Sequence, residues 1–318
     1  MTGLPHTSPA ATGQRRAWGE LPERVRAATE AWLGSPVASA TTQPTGFSPG
    51  VAARLVCADG RRYFVKAVSA EPNPTSPAYH RREARIVGAL PATAPVPRLL
   101  WTYDDGDWVL LVFEDVAGTH PAEPWRDDEL ARVLAAMAEL AALLTPSPIR
   151  TRTAGDLLAR DICSWRRLLA APPEALDPWS RRHLPRLAEL DARAPAAIAG
   201  DTLVHFDIRG DNVLLAADRV VVLDWPHASI GAAWADLVFF APSVAMQGGP
   251  APAELARRYP PIAAAADADV DAVLAAVAGF FTARALEPPP PGLPTLRPFQ
   301  AAQAEVARAW LAERLHLG

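Results

Sequence analysis

The stretch His205-Phe206-Asp207-Ile208-Arg209-Gly210-Asp211-Asn212 leads into Val213-Leu214-Leu215, a turn of Ala216-Ala217-Asp218-Arg219, and then Val220-Val221-Val222-Leu223-Asp224-Trp225. The two apolar runs read as a small hairpin, since short aliphatic segments on either side of a polar turn pair back on themselves. Asp207 and Asn212 stand five residues apart on the loop before it, and Asp224 follows Asp207 by seventeen positions, where the returning strand ends. One loop and one strand end thus bring two carboxylates and a carboxamide together. Such a set suits the handling of a charged phosphate. Magnesium takes hard oxygen ligands, one or two of them carboxylates, and a further Asp beside an incoming hydroxyl can receive its proton. The plain alternative is a polar surface hairpin.

Working outward, Phe64-Val65-Lys66-Ala67-Val68 places a lysine inside an apolar strand, and a buried charge requires a partner. On the helix that follows, Tyr79, Glu83, Ile86 and Leu90 recur on one face, so Glu83 is expected to point inward toward Lys66. The alternative leaves Lys66 snorkelling and Glu83 in solvent. Before the lysine strand, Thr45-Gly46-Phe47-Ser48-Pro49-Gly50-Val51 forms a loop in which two glycines and a serine could admit phosphate oxygens to backbone N–H groups. It matches neither common phosphate-loop motif, and alone it reads equally as an ordinary turn.

The spacing His-x-Asp-x-x-x-x-Asn with a later Asp resembles the catalytic loop and metal-binding Asp of protein-kinase-like enzymes. The ending Asp224-Trp225, in place of Asp-Phe-Gly, resembles the aminoglycoside phosphotransferase and choline kinase-like family. That resemblance spans about residues 40–245 and implies an α+β, bilobal protein-kinase-like fold. A small β-sheet lobe with one helix would occupy residues 1–113, with 1–15 flexible, and a larger helical lobe residues 114–318. It further implies ATP and Mg²⁺ as cofactors, Asp207 as the catalytic base, and Asn212 and Asp224 as metal ligands. Lys66 would contact the α- and β-phosphates with Glu83 orienting it, while Gly46 and Ser48 border the phosphates. The backbone around Phe113 and Asp115, where Val109–Phe113 runs into Glu114-Asp115-Val116, would take the adenine. His205 would brace the loop and Asp236 tie it down.

Three features set limits. Arg209 stands where this family more often has His; it either stabilises charge on the transferring phosphoryl group or forms a structural ion pair with Asp211 or another carboxylate. Phe206 replaces the Arg with which regulated protein kinases grip a phosphorylated loop, and eleven residues separate Asp224 from Asp236 without an Ala-Pro-Glu. A protein kinase awaiting phosphorylation is therefore not expected. His227 stands near Asp224 but is read as a satisfied structural residue, and Trp225, Trp234 and Trp310 as core or pocket wall.

Of the 318 residues, 50% are hydrophobic and 21% charged, with a net charge of −4, which suits a packed core and argues against nucleic acid as a partner. Two distant cysteines, Cys57 and Cys163, suggest neither a disulfide framework nor a zinc site. No signal peptide or membrane-spanning run is evident, so a cytoplasmic location and no membrane partner are expected. The expected partner is a small-molecule hydroxyl substrate. Few carboxylates fall in the segments that would line an acceptor site, although Asp156, Asp161, Asp267, Asp269 and Asp271 would contribute if the fold gathered them. An antibiotic or metabolite of modest charge is favoured over a polycationic aminoglycoside. A primary-metabolism kinase for choline, homoserine or a sugar stays open, as does a catalytically silent nucleotide-binding relative. The sequence decides neither ATP against GTP nor the oligomeric state.

Helices are expected over 20–33, 76–90, 127–144, 154–170, 180–193, 233–247, 252–258, 270–286 and 298–315. Strands are expected over 52–57, 62–68, 101–103, 108–113 and around 203–205. The Pro-rich run 287–294 reads as a connector.

Overall fold

The computed structural model describes residues 15–47, 50–71, 73–290 and 293–317. Of the segment 1–15 expected to be flexible, all but Arg15 lies outside the described residues, as does Ser48.

The chain begins with α1 (Glu23–Leu33), stopped by Gly34 in a left-handed conformation, and enters an antiparallel sheet of β1 (Val37–Thr42), β2 (Val51–Cys57), β3 (Arg62–Ser69), β4 (Leu99–Asp104) and β5 (Trp108–Glu114). Their order is β1-β2-β3-β5-β4. The β2–β3 turn carries Gly60 at φ +86° and the β4–β5 turn Gly106 at φ +91°, a region that glycine enters without a Cβ clash. Helix α2 (Ser76–Val87) crosses between β3 and β4 and packs on β3 and β5.

β5 is buried on both faces. Leu110 and Val112 join the cluster under α1 with Val25, Leu55 and Val65, while Val109, Leu111 and Phe113 join Ile86 and Val87 of α2. The period-2 alternation of a strand sends successive side chains to opposite cores, so a continuous apolar run is what this strand requires. The second cluster runs on without a break into the helical lobe.

That lobe comprises α3 (Asp127–Leu143), α4 (Ala154–Leu157), a π-helical turn over Leu158–Ile162, α5 (Trp165–Ala170), α6 (Pro178–Ala197), α7 (Ala235–Met246), α8 (Pro252–Arg258), α9 (Asp267–Ala285) and α10 (Leu296–Leu315). Two small antiparallel ladders sit beneath the sheet lobe. One pairs β6 (Thr202–Val204) with β9 (Ser229–Gly231), the other β7 (Val213–Leu215) with β8 (Val220–Val222). Helix α9 is apolar around most of its circumference because α6, α10, α7 and α5 enclose it.

Three expectations need correction. The single helix over 154–170 is broken, because the Ser164 hydroxyl bonds back to Ile162 O at 2.9 Å and buried Asp191 accepts the Trp165 N–H at 3.0 Å. Tyr79, placed on the inward face of its helix by periodicity, is 40% exposed. Trp32, 38% exposed, stacks on Trp101 at 5.4 Å. Strands β1 and β9 went undelineated; β1 is an exposed edge strand and β9 three residues long, so neither carries a strong pattern. Among the described residues no helix is long and apolar enough to cross a membrane.

Candidate active site

Lys66 sits in β3 between Ala52 of β2 and Leu111 of β5, which fixes its side chain against the underside of the sheet. Its Nζ donates to Glu83 Oε1 of α2 at 2.7 Å and to Asp224 Oδ1 at 2.7 Å. One ammonium therefore joins the sheet, the helix and the far end of the β7–β8 hairpin. Burial disfavours its charge, but the two carboxylates outweigh that and hold it above the usual lysine range. For Glu83 burial prevails and raises its pKa, opposed by Lys66 and by the Trp225 amide. Asp224 also feels burial, but the ammonium pulls it well below the usual carboxylate range, and its side chain remains 41% exposed. An ionised, accessible carboxylate is the result.

The loop before β7 is held from behind. Asp236, at the start of α7, accepts the amides of His205 at 2.9 Å and Phe206 at 2.7 Å, and burial raises it to about 6. His205 Nε2 donates to Leu223 O at 2.8 Å and its Nδ1 accepts the Asp207 amide at 3.0 Å. That arrangement needs a neutral ring, in keeping with burial lowering His205 to about 4. Asn212 Nδ2 donates to Asp207 O at 2.8 Å and to Asp207 Oδ2 at 3.3 Å. Phe206 and Asp224 adopt φ of +69° and +67°, values that side-chain-bearing residues take only where the surroundings impose them. Burial raises Asp207, against the pull of Arg209 and His227. Arg209 donates from Nε and Nη2 to the two oxygens of Asp211, both at 3.0 Å, and from Nη1 to Asp207 Oδ1. Both sequence readings of Arg209 keep a footing here: the ion pair exists, and the guanidinium also faces the reactive carboxylate.

Two clefts meet at Asp224. The first, about 1060 Å³, lies under the sheet and is lined by Gly46, Val51, Ala52, Lys66, Phe113, Asp115, Val116, Asn212, Leu214 and Leu223. Gly46 lies at φ +90°, and a Cβ on Gly50 would come within 2.2 Å of Ala67 O, so the loop's glycines are needed for its close approach to β3. Phe113 is held in the ladder opposite Phe64 and Leu99 and contributes its ring, 5.9 Å from Lys66 Nζ. The Asp115 carboxylate binds Arg54 and Arg62, each at 2.8 Å. Past the strand end, the Val116 amide makes no hydrogen bond among the described residues. The second cleft, about 1720 Å³, opens on the other side of Asp207 and is lined by helices α9 and α10, the π-helical turn and His227.

The donor set suits a divalent cation brought in with phosphates. Asp224 offers ionised oxygens, and Asn212, whose Nδ2 is engaged with Asp207, keeps its carboxamide oxygen for the same cleft. Among the described residues no group of three or more His, Cys, Asp or Glu could form an all-protein cage.

Sequence reasoning missed Arg15. It lines the first cleft, donates to Thr45 O at 2.5 Å, and lies thirty positions before the loop it supports, so no spacing announced it. His80, which lines both clefts, and Arg152, which lines the second, were also missed. His227 lines the second cleft, 5.2 Å from the Tyr79 ring.

The family model for the phosphotransferase enzyme family matches residues 45–268, and the chain belongs to that family. No curated protein sequence matches it. Among solved structures, an aminoglycoside-3'-phosphotransferase of type VIII aligns with a TM-score of 0.56 at 22% identity, covering 81% of this chain and all of that one. A choline/ethanolamine kinase family protein from Mesorhizobium loti aligns at 0.58 and 17%, covering 92% and 94%. An amicoumacin kinase in complex with AMP-PNP and Ca²⁺ aligns at 0.56 and 10%, covering 92% and 95%. These likenesses show the bilobal kinase-like fold.

Proposed function

We propose that this chain is an ATP- and Mg²⁺-dependent kinase, working in the cytoplasm, that transfers the γ-phosphate to a hydroxyl of a small antibiotic or metabolite. Residues 1–113 form the nucleotide-binding lobe and 114–318 the catalytic and acceptor lobe. The observation that carries the reading is the single ammonium of Lys66 bonded at 2.7 Å both to Glu83 and to Asp224, one from each lobe. A silent scaffold has no need to bury that charge cluster with a loop held in left-handed conformations around it.

Lys66, oriented by Glu83, meets the α- and β-phosphates, beneath the loop of Gly46 and Ser48. The purine lies between Ala52 and Leu214, against the backbone past Phe113 and Asp115, with the Val116 N–H as its donor. Asp224 and Asn212 would hold the magnesium ion, which would supply positive charge against the charge developing on the phosphates. Asp207, kept fixed by Asn212 and the His205 ring, receives the acceptor proton. Its raised pKa makes it a better base than a solvated aspartate. Arg209 supplies positive charge where the phosphoryl group passes.

The test is acceptor-dependent ADP release, compared with Asp207→Asn. Removal of the base is expected to lower kcat about 10²–10⁴-fold while AMP-PNP binding persists. Turnover by Asp207→Asn at the wild-type rate contradicts the assignment.

A further inference from the structure

The second cleft defines what the acceptor must look like. Setting aside Asp207, Asp224 and Glu83 of the phosphate-handling cluster, Asp161 is the one carboxylate lining it among the described residues. Asp161 lies 3.5 Å from Arg152, whose Nε also donates to Ser229. A second cation, Arg284, projects over the Phe280 ring at 5.6 Å. The aspartates that might have gathered here are committed elsewhere or turned away. Asp267 and Asp271 bind Arg314 on the far side of α10, and Asp156 accepts from Thr153 at the head of α4. Beyond the phosphate-handling cluster, a polyamine entering this cleft would lose its hydration, meet three arginines, Arg152, Arg209 and Arg284, and find one carboxylate that is already paired.

The walls point the same way. Phe206 packs edge-on to Phe239 at 5.0 Å, Phe280 to Phe281 at 5.2 Å, and Phe299 of α10 reaches Phe47 of the loop above at 5.4 Å. Arg209, which lines the same cleft, lies 5.8 Å from both of the last two rings, so aromatic faces flank the cation nearest Asp207. Within this lining stands Gln303 of α10, 1% exposed, whose Oε1 has no hydrogen-bond partner among the described residues. A buried carbonyl oxygen left without a donor by the chain can accept one from a bound molecule.

We infer that the acceptor is a neutral or anionic hydroxyl compound with an apolar ring or branched body, which rests on the phenylalanine wall and gives one N–H or O–H donor to Gln303. This rests on the kinase reading and names its substrate class. It sets the chain apart from relatives that phosphorylate polycations.

The experiment titrates the full chain, saturated with AMP-PNP and magnesium, with gentamicin and streptomycin by calorimetry. In parallel, ADP release is measured on neutral aromatic diols, macrolactone polyols and hydroxylated aromatic carboxylates. The polycations are expected to bind no tighter than about 1 mM. The best neutral or anionic compound is expected to exceed them at least about 100-fold in kcat/KM. Gln303→Met, close in size, is expected to raise the acceptor KM about tenfold with the KM for ATP held. Phe281→Leu provides a second variant with the same selective effect should Gln303→Met fail to fold. Binding of gentamicin or streptomycin at about 10 µM or tighter overturns the inference, as does a Gln303→Met protein in which both KM values move alike. Tight polycation binding beside intact AMP-PNP binding sinks this inference alone, whereas absent AMP-PNP binding sinks the kinase reading.

Discussion

The two clefts that meet at Asp224 use different chemistry. The cleft proposed for the nucleotide concentrates charge: Lys66, Glu83, Asp224 and Asn212 each have a specific partner within hydrogen-bond reach. The cleft proposed for the acceptor is a wall of phenylalanines with three arginines and a glutamine whose Oε1 has no partner among the described residues. Ion pairs demand particular atoms at particular distances, so few substitutions are tolerated there. An apolar wall can be made from any ring on any helix that reaches the cleft. A family can therefore keep the first and redraw the second, which fits neighbours as different as an aminoglycoside phosphotransferase and a choline/ethanolamine kinase family protein sharing one fold.

The sharpest way to break this contrast is Lys66→Met. It removes the cation from two carboxylates and leaves Glu83 buried beside Asp224, which should cost about 3 kcal/mol of stability. The kcat/KM for ATP should fall about 10²–10³-fold. Calorimetric affinity for the acceptor should be preserved, and an equal loss there would erase the distinction between the clefts.

A smaller effect tests the loop they share. Burial lowers His205 to about 4, whereas in the unfolded chain it titrates near 6.5. Below about pH 6.5 the unfolded chain takes up a proton that the native chain refuses until about pH 4. This residue therefore makes stability fall as pH drops through that window, by at most about 1.4 kcal/mol per pH unit. Asp236, raised to about 6, acts oppositely, since the native chain keeps a proton that the unfolded carboxylate has released. Denaturant melts of wild type and His205→Gln at pH 4.5 and 7 should isolate the histidine, with the wild type losing more on acidification. Parallel pH profiles would mean the ring is not held neutral.

The least effect is expected outside both clefts. Arg81 and Asp104 form an exposed pair at 2.6 Å, and Arg81→Ala should change stability by less than about 1 kcal/mol and leave ATP turnover intact. A large loss of turnover would show that charges remote from the site matter as much as those within it.

The nucleotide side was legible in the sequence because its parts sit on short, regular elements. The hairpin spacing carried Asp207, Asn212 and Asp224 together, and strand burial with helical period carried Lys66 to Glu83. Asp236 was legible as the tie behind the loop. The acceptor side was not, for its residues come from α2, the π-helical turn, α9 and α10, elements whose packing no local pattern specifies. Phe280 and Phe281 end a helix that is apolar nearly all round, so nothing marked them as cleft residues. Gln303 reads as an ordinary polar position on α10 until its burial is seen. Arg15 escaped because long-range partners leave no spacing, and the break at Ser164 because it depends on Asp191, twenty-seven residues on.

The central claim is that Lys66 of one lobe and Asp224 of the other serve the same metal-bound triphosphate. The most direct measurement is the affinity of Asp224→Ala for ATP, with magnesium and with EDTA. Mg-ATP binding is expected to weaken about 10–100-fold while metal-free ATP binding changes less than about threefold. Equal losses in the two titrations, or Mg-ATP binding as tight as in the wild type, would contradict it.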